Sequence, residues 1–393
     1  MRVILLVIDS GGIGDAPDAI TFGDGGANTI GHTAEAVGGL TLRNLSAMGL
    51  KDLVPGGAIS GRDLEGRATL IHPSAVGKDT LAGHWEMMGL TVRTPFRTYP
   101  NGFPPELIAT LSQAFGQPLL GKQVASGTEI IDRLGPEHLK TGWPIVYTSA
   151  DSVLQIAAHE SRVPLSTLYS WCEAAREIMQ GPNLVGRIIA RPFVGNPGAF
   201  VRTANRHDYA IRPWARTQID ALADNGVKTI AVGKIGDIFS GQGFSHHVRT
   251  LSNLDGLQKT RDQLKKAETG PEFVFVNLVE FDSHWGHRRN PQGYAKALQE
   301  LDEFLPHLWE TMASDDQLWI TADHGCDPTY RGTDHTRENL PWLVLGPSVP
   351  MGIDAPRNTL ADIAATLAKI YSVPQIGDGH PWEAIVPQKE VPA

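Results

Sequence analysis

The sequence predicts an α/β protein in which apolar strands alternate with amphipathic helices and a second, smaller domain interrupts the first. Three observations carry this. Apolar runs of strand length recur, each stopping at a cluster of polar residues; helical apolar stripes lie between and after them; and two proline-punctuated places bracket a long middle segment.

The first run, Val3 to Ile8, is continuously apolar, the pattern of a strand covered on both faces, and it stops at Asp9-Ser10-Gly11-Gly12. The same order recurs at Thr229 to Lys234, at Phe273 to Val279 ahead of Glu280-Phe281-Asp282, and at Leu318 to Thr321 ahead of Ala322-Asp323-His324-Gly325. Between the last two, Tyr294, Leu298, Leu301, Leu305 and Leu308 hold one helical face; Leu360, Ile363, Leu367 and Ile370 hold another. In open α/β sheets ligands bind beyond the carboxyl ends of the strands, and the polar clusters stand there. The breaks at Thr94 to Pro100 and Ile211 to Trp214 divide the chain into a core of residues 1–94 and 213–393 and an inserted cap of residues 95–212.

Bulk properties agree with a globular protein of more than one domain: 393 residues, 41% hydrophobic and 20% charged. A formal charge of -9 disfavours nucleic acid or an anionic membrane as partner. An anionic substrate must then be met by a few Lys and Arg gathered locally. Cys172 and Cys326 are far apart and in no CxxC arrangement, so the pattern suggests neither a thiolate zinc site nor a disulfide framework and points to the reducing cytosol. The apolar run at the N-terminus is short for a signal peptide, and no stretch reaches the roughly 20 apolar residues of a membrane helix.

The strand ends carry metal-capable side chains. Asp323-His324-Gly325 alone fits a capped turn as well as a ligand pair. It is joined by Asp282-Ser283-His284-Trp285-Gly286-His287, by Thr333-Asp334-His335-Thr336 and by Asp9, and their shared placement favours a binuclear site of carboxylate and imidazole ligands. Such a set without thiolate suits Mn²⁺, Mg²⁺ or Zn²⁺. Two ions roughly 4 Å apart clamp the attacking and leaving oxygens of an in-line phosphoryl displacement. Gly77-Lys78-Asp79-Thr80 through Met88 reads as a glycine-bordered turn entering a helix, with Thr80 near the amino end where backbone N–H groups favour an anion. Asp79 and Thr80 fit an ordinary N-cap too, and the residues alone do not choose.

These motifs resemble the phosphopentomutase family of the alkaline phosphatase superfamily over essentially the whole chain. The resemblance rests on Val7-Ile8-Asp9-Ser10-Gly11-Gly12-Ile13-Gly14, on Gly77 through Glu86, on Phe281-Asp282 through Arg289, on Ala322 to Gly325 and on Thr333 to Thr336. It implies an alkaline-phosphatase-like three-layer α/β/α core with an inserted smaller α/β cap. It further implies one metal held by Asp9, Asp323 and His324, a second held by Asp282, His287 and His335, and Thr80 as the nucleophile that carries phosphate. His284 and Trp285 depart from the family's usual residues, and His284 is left out of the ligand set.

The implied activity is that of an isomerase acting by phosphotransfer, interconverting ribose 1-phosphate and ribose 5-phosphate and the 2-deoxyribose pair through a pentose 1,5-bisphosphate. Mn²⁺ is the implied metal, a sugar bisphosphate the activator, and the cytoplasm the location. Segments around Thr148 to Ser152, Gly186 to Pro192, Pro197 to Thr203 and Arg206 to Tyr209 resemble phosphopentomutases rather than phosphoglycerate mutases. On that likeness Arg187, Arg202 and Arg206 hold the non-reacting phosphate, Lys234 adds a point charge and Asp151 accepts hydrogen bonds from the pentose hydroxyls. The bland alternative is that the arginines pair with surface acids and Asp151 caps a turn. Phosphatases, phosphodiesterases and phosphoglycerate mutases on the same core are the rivals, with a non-catalytic phosphosugar-binding module behind them. Neither cysteine lies in the Cys-x-Pro-x-Arg context of a sulfatase.

Overall fold

The computed structural model describes residues 1–149, 152–266 and 270–388. The chain forms two compact units, Met1–Thr94 with Arg212–Ala393, and Pro95–Ile211.

The first unit is built on an eight-stranded sheet. Five parallel strands lie in the order His246–Val248, Lys228–Val232, Glu272–Leu278, Arg2–Ile8 and Gln317–Ala322. Leu340–Leu345 and Arg67–Ile71 then add antiparallel, and Gly352–Ile353 closes that edge. The run from Val3 to Ile8 is central and buried because its leucine and β-branched side chains pack on both faces. Ile4, Leu6 and Ile8 share a core cluster with Tyr294, Leu298, Leu301, Leu305 and Leu308 of the helix Pro291–Trp309. The helix Ala361–Tyr371 buries Ile363 and Leu367, packs against the helices Thr80–Met87 and Gln218–Asp224, and is pinned to the sheet where Val3 N donates to Tyr371 Oη. Helices thus cover a mixed, largely parallel sheet.

The strand reaching Lys234 in the sequence reading ends earlier, at Val232. Gly233 turns the chain with φ of 77°, and Lys234 precedes the short helix Ile235–Ile238. Arg67–Ile71 and Leu340–Leu345 carry no such apolar-run signal ahead of a polar cluster, and the sequence reading lacks them. The second of them contains Pro341, which lies beyond the end of the pairing with Gln317–Ala322 and stays in register with Leu70 on the other side.

In the second unit the sheet order is His207–Ala210, Arg187–Val194, Val153–His159, Ile145–Thr148 and Leu120–Val124, with Val201–Arg202 paired to the end of Arg187–Val194. Helices Pro105–Phe115 and Leu165–Ile178 contribute Leu107, Leu111, Leu168 and Trp171 to the core on one face; Gly127–Thr141 contributes Ile130 and Ile131 to the other. Asp151 lies outside the described residues. Among the described residues no helix is long and apolar enough to cross a membrane.

Candidate metal centre

Register brings the acids together. Ile8 sits opposite Leu278 on one side and Ala322 on the other, so the chain leaves the sheet at one level at Asp9, Val279 and Asp323. Asp282 follows within a π-helical turn, Phe281–Gly286, a conformation often found at functional sites. Asp9, Asp323 and Asp282 are 0%, 2% and 7% exposed, which leaves three carboxylates in a place water barely reaches. Asp9 Oδ1, Asp282 Oδ1 and Asp323 Oδ2 have no hydrogen-bond partner among the described residues; His84 Nδ1 and His324 Nε2 stand 3.1 and 3.3 Å from Asp323 Oδ2. Burial first, then the charges of Asp323 and Asp282, push the Asp9 carboxyl well above its ordinary range, with Lys234 opposing them. Lys234 therefore acts on this centre from within the first unit.

The imidazoles are held in one tautomer. His287 Nδ1 donates to Thr333 O at 2.8 Å, His335 Nδ1 to Lys78 O at 2.8 Å and His324 Nδ1 to Gly325 O at 3.0 Å. A carbonyl oxygen only accepts, so each Nδ1 carries hydrogen and Nε2 is the ring atom left to ligate; against burial, Asp282 and Asp334 raise the His335 imidazole to about 9, so a cation there takes the place of its Nε2 proton. His324 Nε2 is 3.5 Å from Asp9 Oδ1 and 3.3 Å from Asp323 Oδ2. His287 Nε2 and His335 Nε2 are 3.1 Å apart, and each is 3.4 Å from an oxygen of Asp282. Ligand atoms about 2.1 Å from one tetrahedral ion stand about 3.4 Å from each other. Orphaned oxygens, converging Nε2 atoms and this spacing all fit divalent cations. The structure also places His324 within reach of Asp282 and His335, so it stands between the two ligand groups the resemblance implies.

Thr80 opens the helix Thr80–Met87. Asp79 is the N-cap, its Oδ1 accepting from Leu81 N and Ala82 N, and this frees the Thr80 hydroxyl from capping. Thr80 Oγ1 instead lies 3.4 Å from His324 Nε2. Close approach depends on Gly83: a Cβ there would lie 2.2 Å from Asp323 O. Gly83→Ala should therefore push the helix away from the strand end and lower turnover about 10²-fold in a folded protein. Steady-state kinetics beside a thermal melt check this; an unchanged rate would mean the seating of the helix is not critical.

Several residues of the centre escape sequence reasoning. His84, fully buried, donates from Nδ1 to Thr80 O at 2.9 Å, while its Nε2 lies 3.4 Å from Asn277 Nδ2. Asn277 Nδ2 donates to Asp9 Oδ2 at 3.0 Å, and a lone amide within an apolar strand was the available signal. Arg337, 3% exposed, forks onto Asp18 at 2.9 Å and reaches Pro73 O, Ala75 O and Gly77 O, tying the segment after His335 to the loop before Thr80. Cys326 Sγ lies 3.9 Å from His287 Nδ1, the nitrogen already committed to Thr333, so it stands behind the ring. Burial pushes its thiol well above the ordinary range. His284 is 61% exposed and faces Glu280, apart from the other imidazoles.

In the second unit Arg187, Arg202 and Arg206 line one open pocket of about 380 Å³, together with Arg191, which the sequence reading did not single out. Arg206 is bound in bidentate fashion by Asp208 at 2.6 and 2.5 Å, so the ion-pair alternative describes its geometry.

The family model "Metalloenzyme superfamily" matches residues 1–375. Curated relatives include a phosphopentomutase of Caldanaerobacter subterraneus, 49% identical over 99% of this chain and 98% of that protein. Others are the phosphopentomutases of Carboxydothermus hydrogenoformans, 50% identical over 98% of this chain and 99% of that protein, and of Symbiobacterium thermophilum, 51% identical over 96% and 97%.

Proposed function

We propose, for a chain that belongs to the phosphopentomutase family of metalloenzymes and is therefore an isomerase, that it interconverts ribose 1-phosphate and ribose 5-phosphate, and likewise the 2-deoxyribose pair. The observation that carries the reading is the approach of Thr80 Oγ1 to 3.4 Å from His324 Nε2, beside the gathered carboxylates.

Asp9, Asp323 and His324 would hold one divalent ion and Asp282, His287 and His335 a second, and these would supply Lewis-acid stabilisation of charge on the transferring phosphoryl oxygens. The hard oxygen and nitrogen set supports Mn²⁺. A sugar bisphosphate loads the phosphoryl group onto Thr80 Oγ1: the Oγ1–P bond forms as a sugar O–P bond breaks, and the sugar monophosphate leaves with the Oγ1 proton. The free hydroxyl of the pentose phosphate then attacks phosphorus; its O–P bond forms as the Oγ1–P bond breaks, and its proton ends on Oγ1. The product is a pentose 1,5-bisphosphate. After it reorients, Oγ1 attacks the other phosphate, and the isomerised monophosphate leaves with the proton.

His84 holds the first turn of the nucleophile's helix by the Thr80 carbonyl, and Asp79 keeps that turn capped. Arg187, Arg202 and Arg206 bind the phosphate that does not react, with Lys234 adding charge and Asp151 receiving the sugar hydroxyls. Two buried, unpaired cysteines support a cytosolic setting.

The test is ³¹P NMR of the Mn²⁺-loaded chain, primed with a sugar bisphosphate and given ribose 5-phosphate. Ribose 1-phosphate without free phosphate is the expected result. Free phosphate alone would make it a phosphatase.

A further inference from the structure

The nucleophile and the carboxylates beside it come from separate elements. Asp9 and Asp323 leave neighbouring parallel strands, while Thr80 opens a helix. In-line transfer needs them aligned to within a fraction of an ångström. One imidazole reaches all of them, directly or through one amide, and takes no part in the bond changes.

His84 is fully buried and stands one helical turn after Thr80, on the same face. Its ring lies against Phe275, with centroids 5.8 Å apart and planes tilted by 31°. Phe275 and Asn277 share one face of the strand Glu272–Leu278, so a ring packed on the first meets the second. His84 Nδ1 donates to Thr80 O at 2.9 Å, and Asp323 Oδ2 stands 3.1 Å from the same nitrogen. Nε2 accepts from Asn277 Nδ2 at 3.4 Å. Acceptors at Nδ1 and a donor at Nε2 fix the tautomer and aim the ring.

Asn277 is 2% exposed, and a buried amide is costly unless its hydrogens are used. Nδ2 has two: one goes to Asp9 Oδ2 at 3.0 Å and the other to His84 Nε2. Asn277 Oδ1 has no partner among the described residues, so the residue serves here through its donors. With Oδ2 held in this way, Asp9 keeps Oδ1, its unpartnered oxygen, for a cation.

We infer that His84 and Asn277 form a positioning relay between the carboxylates of the first implied metal and the helix of the nucleophile, so that cation binding and the seating of Thr80 depend on each other. The inference deepens the mutase reading and rests on it. At His84 Nδ1 one hydrogen stands between two acceptors. An uncompensated Asp323 carboxylate draws that hydrogen away from Thr80 O. Once a cation takes up the charge of Asp323, the hydrogen is left to the carbonyl and the first turn of the helix tightens. Coupling of this kind is reciprocal, so a helix held at Thr80 O also raises affinity for the cation.

The experiment compares the full-length wild type with His84→Phe, which keeps a flat ring and removes both nitrogens, with His84→Asn, which keeps a donor near the place of Nδ1, with Asn277→Leu, and with the double variant His84→Phe/Asn277→Leu. It reads the Mn²⁺ isotherm, amide hydrogen exchange of the helix Thr80–Met87 with Mn²⁺ and with chelator, and kcat and KM for ribose 5-phosphate. Mn²⁺ should slow exchange in that helix about tenfold in the wild type and less than about twofold in His84→Phe. Mn²⁺ binding should weaken about tenfold in His84→Phe and in Asn277→Leu, and kcat of His84→Phe should fall about 10²-fold with KM within about threefold. His84→Asn should recover about tenfold of that kcat, and the double variant should be no worse than the worse single one, because either break opens the same relay. Wild-type Mn²⁺ affinity with helix exchange that still responds to Mn²⁺ in the folded variants, or losses that add in the double variant, would overturn the relay. Should His84→Phe fail to fold, His84→Asn and Asn277→Leu decide it by the same isotherm and exchange. A wild type that binds Mn²⁺ and never turns over ribose 5-phosphate would overturn the mutase reading, while isotherms and exchange would still decide the relay.

Discussion

Thr80→Val should yield a folded chain that takes up no phosphate from a sugar bisphosphate and interconverts no pentose phosphate, a loss of roughly 10⁴-fold or more. Valine keeps the branched shape of threonine and removes the hydroxyl. The hydroxyl does no capping, since Asp79 satisfies Leu81 N and Ala82 N, and among the described residues its side-chain approach is to His324 Nε2. Stability should therefore change by no more than about 0.5 kcal/mol. Intact-protein mass after priming reads the phosphoryl adduct, and ³¹P NMR reads turnover. Thr80→Ser should recover part of both. A valine variant that still acquires phosphate and isomerises its substrate would remove Thr80 from the chemistry.

Asp9→Asn should change stability in opposite directions with and without metal. Three carboxylates are buried at the strand ends, and burial together with the Asp323 and Asp282 charges raises Asp9 well above its ordinary range. Without a cation, removing that carboxylate relieves repulsion in a poorly hydrated site, so the metal-free variant should melt at or above the wild-type temperature. Asparagine can still accept from Asn277 Nδ2 through its carbonyl, so that contact is kept. With Mn²⁺ the order should reverse, because the wild type gains RT ln(1 + [L]/Kd), about 2.7 kcal/mol at a hundredfold excess over Kd, and the variant gains far less. Melts with and without a chelator, beside metal content by mass spectrometry, test it. A variant that binds two ions and melts like the wild type in both conditions would mean Asp9 is not a ligand.

The readable parts of this chain are those where a local pattern reports burial. Val3 to Ile8 announces a central strand because both faces are covered and every side chain is apolar, and the stripe from Tyr294 to Leu308 announces a helix because one face is. Asp9, Asp282 and Asp323 stand out because each ends or closely follows such a run. Arg67–Ile71 and Leu340–Leu345 do not stand out, the first carrying Arg and Thr and the second a proline that an interior strand seldom holds.

Sequence by itself determined the strand and helix alternation, the placing of acids and imidazoles beyond strand ends, and a family likeness carried by contiguous motifs. Tertiary structure alone decided which groups meet. Asn277 reaches Asp9 across 268 residues, and Arg337 reaches Gly77 across 260. The helix of Thr80 is seated by a contact of Gly83 with Asp323, and Tyr147, Gly127 and Arg202 converge from three separate elements. Hydrophobic periodicity is a property of neighbours along the chain, so it can be read in order. Hydrogen-bond partnership and charge crowding are properties of neighbours in space, which the chain acquires when parallel register brings the ends of distant strands to one level.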